Sequence, residues 1–346
     1  MIKRQSAPGS NTQVVPAPAK VNVFLRVLGS RPDGYHDIET LVAPISLADR
    51  LTLHAFADPG QFRTISLSLD VQGDPDLASR VPAGDSNLIL RAAAALAAEA
   101  GIRGFADIVL HKLVPVAAGL GGGSSDAAAA LLALNDLWGC AMDDRTLREV
   151  GARVGSDVPA LMMRGPALAR GRGERVEPVI LPSMRWLVAP LPFEVRTKDA
   201  FRWWDEDGGH TGPDSAGAVE AARRGDVRAL GPALFNDLED PVTRRHPEVR
   251  RVIERLTEAG AVGVVMCGSG PTVAALLAED VEVSGAIEVR SGLAPHDSNV
   301  DLRDQNPASL PLGLGATGGS ATIPGKESPQ HWPRQGGPSR PRNARG

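Results

Sequence analysis

The stretch PVAAGLGGGSS, from Pro115 to Ser125, carries most of the information on the fold. It follows a segment typical of a β-strand, ADIVLHKLVPV, and precedes an alanine-rich segment that predicts a helix from about Ser124 to Trp138. Because glycines have no Cβ atom, backbone amides can close around phosphate oxygens, and the positive end of the helix points at the same place. Strand, glycine loop and helix together predict a phosphate-binding site.

Two common nucleotide-binding loops are excluded by their own patterns. No Gly-Lys-Ser/Thr follows the glycines, so the stretch is not a Walker A loop. A dinucleotide-binding GxGxxG loop would open a fold of alternating strands and helices, whereas the segment before this loop is rich in strands. Taken by itself, a glycine-rich stretch can also be a flexible turn without a ligand.

The segments around the loop mix strands and helices. Alternating, β-branched segments predict the strands VNVFLRVLG from Val21, DRLTLHAF and RTISLSLDV. A helix is predicted for LILRAAAALAAEAG, after the capping side chains of Asp85, Ser86 and Asn87 and up to Gly101. A further helix is predicted for DDRTLREVGARVG. The amino-terminal third is therefore rich in strands, and helices follow it.

A second unit begins after a break near Leu181. It contains strand-like WLVAPL and VGVVMC, with helix-like stretches around residues 216–230 and 248–259. We therefore predict an α+β fold with a flexible amino terminus (1–14), an amino-terminal domain that carries the phosphate-binding loop (15–181) and a carboxyl-terminal domain (182–290).

The carboxyl-terminal segment breaks this pattern from about Val281. AEDVEVSGAIEVRSGLAPHDSNVDLRDQ has no helical stripe, and the Gly, Pro, Ser and Arg residues after it lack apolar periodicity. We expect a second domain without a closing strand, hence incompletely closed, and a disordered or aberrant tail (291–346). A change of reading frame near residue 282 is one hypothesis for this composition.

Composition favours a soluble globular protein over a membrane or nucleic-acid-binding protein. Of the 346 residues, 42% are hydrophobic and 23% charged, enough for one large core or two moderate ones. The net charge of -4 offers no global basic field to hold nucleic acid or an anionic membrane. Cys140 and Cys267 lack CxxC spacing, and the amino terminus lacks the apolar core of a signal peptide. We expect a cytoplasmic protein without nucleic-acid or membrane partners.

Three motifs resemble those of the galactokinase/homoserine kinase/mevalonate kinase/phosphomevalonate kinase superfamily. They are PAKVN (Pro18–Asn22), the glycine loop with SSDAAAALLALNDLWG, and CGSGPTVAAL (Cys267–Leu276), in that order. Within the superfamily, PAKVNVFLRVLGSRPDGYHDIETL and GSDVPALMMRGPALARGRGE are similar to segments of the diphosphocytidyl-methylerythritol kinases. The resemblance extends from about Val15 to Ala278.

The resemblance implies a two-domain kinase that uses ATP, with Mg2+, to phosphorylate the 2-hydroxyl of 4-diphosphocytidyl-2-C-methyl-D-erythritol for isoprenoid synthesis. No prosthetic group is implied. Asp157 would accept the proton of the attacking hydroxyl, while Lys20 orients that hydroxyl and offsets negative charge. Without the resemblance, Asp157 would be an ordinary helix cap and Lys20 a solvated strand end. ATP is expected on the glycine loop, namely Pro115, Val116, Ala117, Ala118, Gly119, Leu120, Gly121, Gly122, Gly123, Ser124 and Ser125.

The resemblance also implies how the cytidine end is held. Tyr35 would stack on cytosine and His36 would form hydrogen bonds with it, although a Tyr-His pair after a turn is ordinarily a packing feature. Phe201 is the implied opposite stacking face, and Trp203 or Trp204 are alternatives for it.

The remaining implied contacts concern the methylerythritol end and the phosphates. They are Asn22 and Thr197 for the methylerythritol moiety, Ser124 or Ser125 near a phosphate-bound magnesium, and the third-motif loop of Gly268, Ser269 and Gly270. For that loop, a tight turn between two strands is nearly as good an explanation as direct ligand contact.

Two other functions stay open. Another kinase of the superfamily is possible on the motifs alone, but the DGYHD segment argues against it because homoserine and mevalonate carry no base to stack. A catalytically inactive nucleotide-binding homologue is the second alternative, favoured by the unusual carboxyl-terminal segment and opposed by the presence of both Lys20 and Asp157.

Overall fold

The structure is a computed structural model, and it describes residues 11–58 and 60–292. Within these ranges the strands are β1 (Thr12–Ser30), β2 (His36–Ala57), β3 (Ile65–Gly73), β4 (Gly104–Lys112), β5 (Ala167–Gly171), β6 (Arg175–Pro178), β7 (Met184–Ala189), β8 (Phe235–Asn236), β9 (Gly263–Met266), β10 (Val273–Leu277) and β11 (Ile287–Ser291). The α-helices there are α1 (Pro75–Ser79), α2 (Leu88–Ala100), α3 (Gly122–Leu137), α4 (Asp144–Val154), α5 (Val158–Met162), α6 (Thr197–Glu206), α7 (Ala216–Arg224), α8 (Val227–Leu230), α9 (Glu239–Arg245) and α10 (Pro247–Glu258). None of these helices is long and apolar enough to cross a membrane.

The strands form two groups around long antiparallel partners. In the first group, β2 pairs with β1, β4 and β5, while β3 runs parallel to β4 and β6 pairs with β5. In the second, the antiparallel order is β11-β7-β10-β9. The groups join where Ser291 of β11 pairs with Ile45 of β2, and β8 adds in parallel to β1.

Helices α2 to α5 cover the first group of strands. The Asn87 side chain caps α2 by accepting from the amides of Ile89 and Leu90, and Gly101 ends that helix in the left-handed conformation. Apolar strand residues such as Leu51 and Leu110 pack with alanines of α2 and α3, which are small enough to let the helices lie close to the sheet. The core thus holds the start of α3 against the sheet, and the glycine loop immediately precedes it.

Strand β1 is irregular where the first motif lies. Its register to β2 shifts between Pro18 and Lys20 and again between Asn22 and Phe24. Such bulges re-aim side chains locally and are common beside active sites. Here they lie on either side of the Lys20–Asn22 segment, whose side chains are described below.

Most predicted elements are confirmed, but β1 begins at Thr12 and not at Val21, and β2 begins at His36 and not at Asp49. The helix predicted from Ser124 begins two residues earlier, at Gly122. The helix-like stretch 216–230 is two helices, because Gly225 takes a left-handed conformation (φ 67°) that ends α7. Residues 278–286 contain no helix, as expected.

The expectation of a missing closing strand is wrong. Strand β11 pairs along its length with β7 and buries Val289 and Ser291, while the Trp186 indole donates a 2.9 Å hydrogen bond to the Ser291 hydroxyl. We missed this strand because it is short and carries Glu288 and Arg290 between its inward residues. The tail predicted for 291–346 includes Ser291, which belongs to β11; residues 293–346 lie outside the described ranges.

Candidate active site

Lys20 is a buried cation rather than a solvated strand end. Only 3% of the residue is exposed, and its ammonium nitrogen donates to Asn22 Oδ1 and to the carbonyl oxygen of Gly119, both at 2.6 Å. The Asn22 amide in turn donates to the Thr40 hydroxyl at 2.9 Å. Since an ammonium group has three hydrogens, these two bonds leave one for a further acceptor. Lys20 therefore links strand β1 to the glycine loop.

The glycine loop adopts a conformation that exposes backbone and buries selected side chains. Ala117, Gly119 and Gly121 all have positive φ, at 54°, 80° and 69°. The side chains of Ala118 and Leu120 are buried and anchor the loop. No side-chain hydrogen bond caps α3 at Gly121, so the first amides of this helix have no capping side chain. Because the side chains of Ala118 and Leu120 are buried, these two residues can face a ligand only with their backbone.

The third-motif loop packs on the glycine loop. A Cβ atom at Gly119 would collide with the Cys267 carbonyl and lie 2.9 Å from the Gly270 carbonyl, and one at Gly268 would lie 2.9 Å from the Lys20 nitrogen. Burial raises the pKa of the Cys267 thiol to about 11, so a neutral thiol lies beside Lys20. The loop is the turn between β9 and β10 and also a wall of the Lys20 site. The tight turn between two strands is confirmed, and direct ligand contact by this loop stays a prediction.

Asp157 stands at the start of α5 without capping it. Its side chain accepts no capping hydrogen bond from that helix, so its carboxylate is not used as an ordinary helix cap. The preceding Gly155 approaches the glycine loop, because a Cβ there would lie 3.8 Å from the Ser124 hydroxyl oxygen. Ser125 is 3% exposed. Of the two serines, Ser124 therefore has the hydroxyl closer to the Asp157 loop and to solvent.

The predicted cytidine contacts lie between the β1–β2 turn and α6. Tyr35 is 51% exposed and is not a core residue. The His36 ring stacks on Phe201, with centroids 4.7 Å apart, and meets the Trp204 ring edge-on at 5.7 Å. Trp203 contacts His246 instead. Phe201 and Trp204 thus hold His36 in place, while Tyr35 presents its ring outward.

Thr197 reaches the third motif. Its hydroxyl lies 3.2 Å from that of Ser269, which brings the start of α6 against the loop that lines Lys20. Together with Asn22, which bonds to Lys20, this arrangement clusters the two residues predicted for the methylerythritol moiety around one loop.

Sequence reasoning missed the partner of His36. Nε2 of His36 lies 3.0 and 3.1 Å from the two carboxylate oxygens of Asp205, on α6. Burial raises the pKa of Asp205, but hydrogen bonds from His36 and Ser30 outweigh it and the pKa lies below its usual value. A carboxylate 169 positions away leaves no local signal in the sequence.

A buried charge cluster behind the glycine loop was also missed. The Lys112 ammonium contacts Asp49 Oδ2 and, at 3.2 Å, Asp126 Oδ2. Asp49 Oδ1 accepts from the amides of Leu113 and Val114, which lead into the loop. Asp126 Oδ1 has no partner within the described ranges. Burial, with a smaller contribution from Asp49, raises the pKa of Asp126 well above its usual value despite Lys112.

Metal binding by side chains alone is not supported in the described ranges. No group of three or more His, Cys, Asp and Glu residues there could hold a metal ion. Mg2+ typically takes one or two protein ligands together with substrate phosphates. The Ser124 hydroxyl, in the first turn of α3, and the Asp157 carboxylate, at the start of α5, are compatible with an ion that arrives on a nucleotide.

Comparisons with known proteins agree with this architecture. The family models described as GHMP kinases N terminal domain and GHMP kinases C terminal match residues 87–165 and 218–289. The chain is 42% identical over 275 residues to a 4-diphosphocytidyl-2-C-methyl-D-erythritol kinase of Pelotomaculum thermopropionicum, covering 79% of this chain and 92% of that one. A second such kinase, from Symbiobacterium thermophilum, is 43% identical over 274 residues, with 78% and 92% covered.

Solved structures give the same result at the level of the fold. A crystal structure of 4-(cytidine 5'-diphospho)-2C-methyl-D-erythritol kinase matches with a TM-score of 0.65 and 36% identity, over 82% of this chain and all of that one (100%). Homoserine kinase from Cytophaga hutchinsonii matches with a TM-score of 0.59 but 21% identity, over 81% and 89% of the two chains, which indicates a shared fold only. The chain therefore belongs to the 4-diphosphocytidyl-2-C-methyl-D-erythritol kinase family of the GHMP kinases, which use ATP as co-substrate.

Proposed function

We propose that the protein transfers the γ-phosphoryl group of ATP to the 2-hydroxyl of 4-diphosphocytidyl-2-C-methyl-D-erythritol. The observation that carries this proposal is the position of Lys20, a buried cation bonded at once to the glycine loop and to Asn22. A phosphate on the loop and a hydroxyl beside Asn22 would share this cation. The small-molecule substrate and ATP are the proposed partners, in the cytoplasm, without nucleic acid or membrane.

In the proposed reaction the phosphoryl group passes directly to the substrate, and no residue of the protein forms a covalent bond with it. The substrate oxygen bonds to the γ-phosphorus as the bond from that phosphorus to the β-γ bridging oxygen breaks, and ADP leaves. Asp157 accepts the hydroxyl proton, which then passes to solvent. Because the transition state is loose, positioning and charge neutralisation dominate the rate. Lys20 is suited to both tasks, since its one uncommitted N–H can bind the hydroxyl or a phosphate oxygen.

The glycine loop is the proposed ATP phosphate site. Its positive-φ residues and the uncapped start of α3 offer backbone N–H donors, as anion sites at helix N-termini do. Mg2+, when bound with ATP, neutralises phosphate charge, and we assign Ser124 to it because Ser125 is buried. The domain limits 15–181 and 182–290 remain part of this proposal.

The proposed cytidine site consists of Tyr35, His36 and Phe201. Tyr35 offers an exposed ring for stacking. Asp205 engages His36 Nε2, which fixes the ring and sets which nitrogen is free to meet a base. In this arrangement the Phe201 ring stacks on His36. For Phe201 to stack on cytosine as well, the base must enter beside the His36–Phe201 pair.

An assay of ADP release tests the proposal. The purified protein is given ATP with 4-diphosphocytidyl-2-C-methyl-D-erythritol, with mevalonate, with homoserine, or with no acceptor. We expect release that depends on the cytidine substrate, at one ADP per substrate phosphorylated. Turnover with mevalonate or homoserine, but not with the cytidine substrate, would favour another superfamily kinase. No turnover with any acceptor would favour an inactive nucleotide-binding homologue.

A further inference from the structure

The exposed Tyr35 ring belongs to a turn that backbone hydrogen bonds hold in place. Its backbone amide donates to Asp33 Oδ1 at 3.2 Å, and its carbonyl accepts from the Arg31 amide at 2.7 Å. These bonds close the turn between β1 and β2. The ring therefore projects from a turn whose backbone is hydrogen-bonded.

The guanidinium of Arg172 lies over this ring, with its central carbon 5.0 Å from the ring centroid. Arg172 belongs to the tight turn between β5 and β6. Its own amide donates to the Glu174 carboxylate at 2.6 Å, which fixes the turn. One face of Tyr35 is thus covered by a cation, while half of the residue stays exposed to solvent.

Arg172 has no acidic partner within residues 11–58 and 60–292. No carboxylate oxygen there lies within 4.0 Å of its guanidinium, and its side chain makes no hydrogen bond to any residue of these ranges. Asp33 is near enough for the two charges to interact, but its carboxylate is bonded to Arg31 and to the Tyr35 amide. By contrast, Arg170 on the same hairpin pairs with Glu39 and Glu177.

The same turn touches the loop that carries Asp157. A Cβ atom at Gly173 would lie 2.6 Å from the carbonyl oxygen of Ser156, so the two backbones are in direct contact. Arg172 is therefore flanked by the proposed base-stacking residue on one side and, through its turn, by the proposed proton acceptor on the other.

The proposed substrate has the same order of parts. Its cytosine lies at one end, its reacting hydroxyl at the other, and a diphosphate between them. A guanidinium without a carboxylate partner presents a planar fork of donors that matches phosphate oxygens. We infer that Arg172 binds the diphosphate of the cytidine substrate and thereby selects for diphosphocytidyl compounds. This inference rests on the proposed function, because the cytidine and the hydroxyl define its two ends.

The test compares inhibition by CDP and by cytidine. Arg172→Met removes the charge and keeps an apolar stem over Tyr35, Arg172→Lys keeps the charge without the fork, and Arg175→Met is a control on an exposed arginine of the same hairpin. We expect Arg172→Met to weaken CDP inhibition and to raise the KM for the substrate, each on the order of ten- to a hundredfold, the usual loss of a charge-assisted hydrogen bond. Cytidine inhibition and the KM for ATP should match wild type. For Arg172→Lys, CDP inhibition and the KM for the substrate should lie between the values of wild type and Arg172→Met. Arg175→Met should match wild type in both.

Each other outcome overturns the inference in a recognisable way. Equal weakening of CDP and cytidine means that Arg172 only supports the Tyr35 ring. Unchanged CDP inhibition in an active Arg172→Met enzyme means that it binds no diphosphate, and a raised KM for ATP alone assigns it to the other nucleotide. If Arg172→Met does not fold, as judged by circular dichroism, the same comparison is made with Arg172→Lys. Wild-type protein that neither turns over the substrate nor binds CDP overturns the proposed function and this inference together.

Discussion

The ammonium nitrogen of Lys20 lies 2.6 Å from the carbonyl oxygen of Gly119, so the first motif and the glycine loop share one buried cation. The third motif encloses this contact from the other side at Gly268, where a Cβ atom would approach the same nitrogen to 2.9 Å. Three segments far apart in the sequence are thereby fitted around one charge. A small change in any of them should move it.

Gly268→Ala should lower kcat by about a hundredfold, because a displacement of about 1 Å at a reacting group can cost that much. The new methyl group would push the Lys20 ammonium away from Gly119. Gly139→Ala is the control: its φ of 66° resembles the 56° of Gly268, but a Cβ there meets nothing within 4 Å. Steady-state kinetics of both variants measure the difference. Equal kcat values would show that backbone strain alone explains any loss.

The Lys112 cluster predicts a dependence of stability on pH. Because the pKa of Asp126 is raised in the folded state, the folded protein binds more protons than the unfolded chain between the usual value of 3.8 and that raised pKa. The free energy of unfolding should therefore fall as pH rises through this interval. Asp126→Asn carries no titrating group and should flatten this dependence, whereas the exposed Asp85→Asn should not. Urea unfolding at several pH values measures it, and identical slopes for wild type and Asp126→Asn would refute the assignment.

Removing the cation of the same cluster should be far more damaging. Lys112→Met leaves two buried carboxyl groups without their partner, and breaking a buried ion pair in this way costs about 3–5 kcal/mol. Thermal or urea unfolding compares it with Asp126→Asn, which keeps an acceptor for Lys112. A Lys112→Met protein as stable as wild type would mean that the cluster does not hold the loop in place.

The sequence predicted those features whose cause is local. The glycines of the loop and the capping Asn87 act within a few residues, so α3 and α2 were predicted nearly at their observed ends. The Asp49–Lys112 and His36–Asp205 contacts join residues 63 and 169 positions apart, and only the fold brings them together. Strand β11 was missed for a similar reason, since its partners, the paired strand β7 and the Trp186 indole that bonds to Ser291, lie about 100 positions away.

Strand β11 should contribute measurably to stability through its last residue. Ser291→Ala leaves the buried Trp186 N–H without its acceptor, at a cost of about 1–3 kcal/mol. The exposed side chain of Arg290, on the same strand, serves as control, and Arg290→Ala should match wild type. Urea unfolding of the two variants decides the matter. Equal stability would indicate that residues 287–291 do not close the sheet in solution.

Base recognition makes a prediction about substrate choice. Stacking on Tyr35 would supply about 1–3 kcal/mol without distinguishing bases, whereas hydrogen bonds from His36 can distinguish cytosine from uracil. We expect the cytidine substrate to be preferred over its uridine analogue by about ten- to a hundredfold in kcat/KM. His36→Ala should remove most of this preference, and Tyr35→Ala should weaken both substrates alike. Equal use of the two substrates by the wild type would contradict base recognition.

The central claim is that Lys20 and Asp157 act together on the transferring phosphoryl group. Its most direct test is kcat for Asp157→Asn, with Lys20→Met and the double variant measured alongside at saturating ATP and cytidine substrate. We predict a fall of about two to four orders of magnitude in each single variant, little change in the KM for ATP, and a double variant little worse than either. A wild-type kcat in Asp157→Asn would contradict the account.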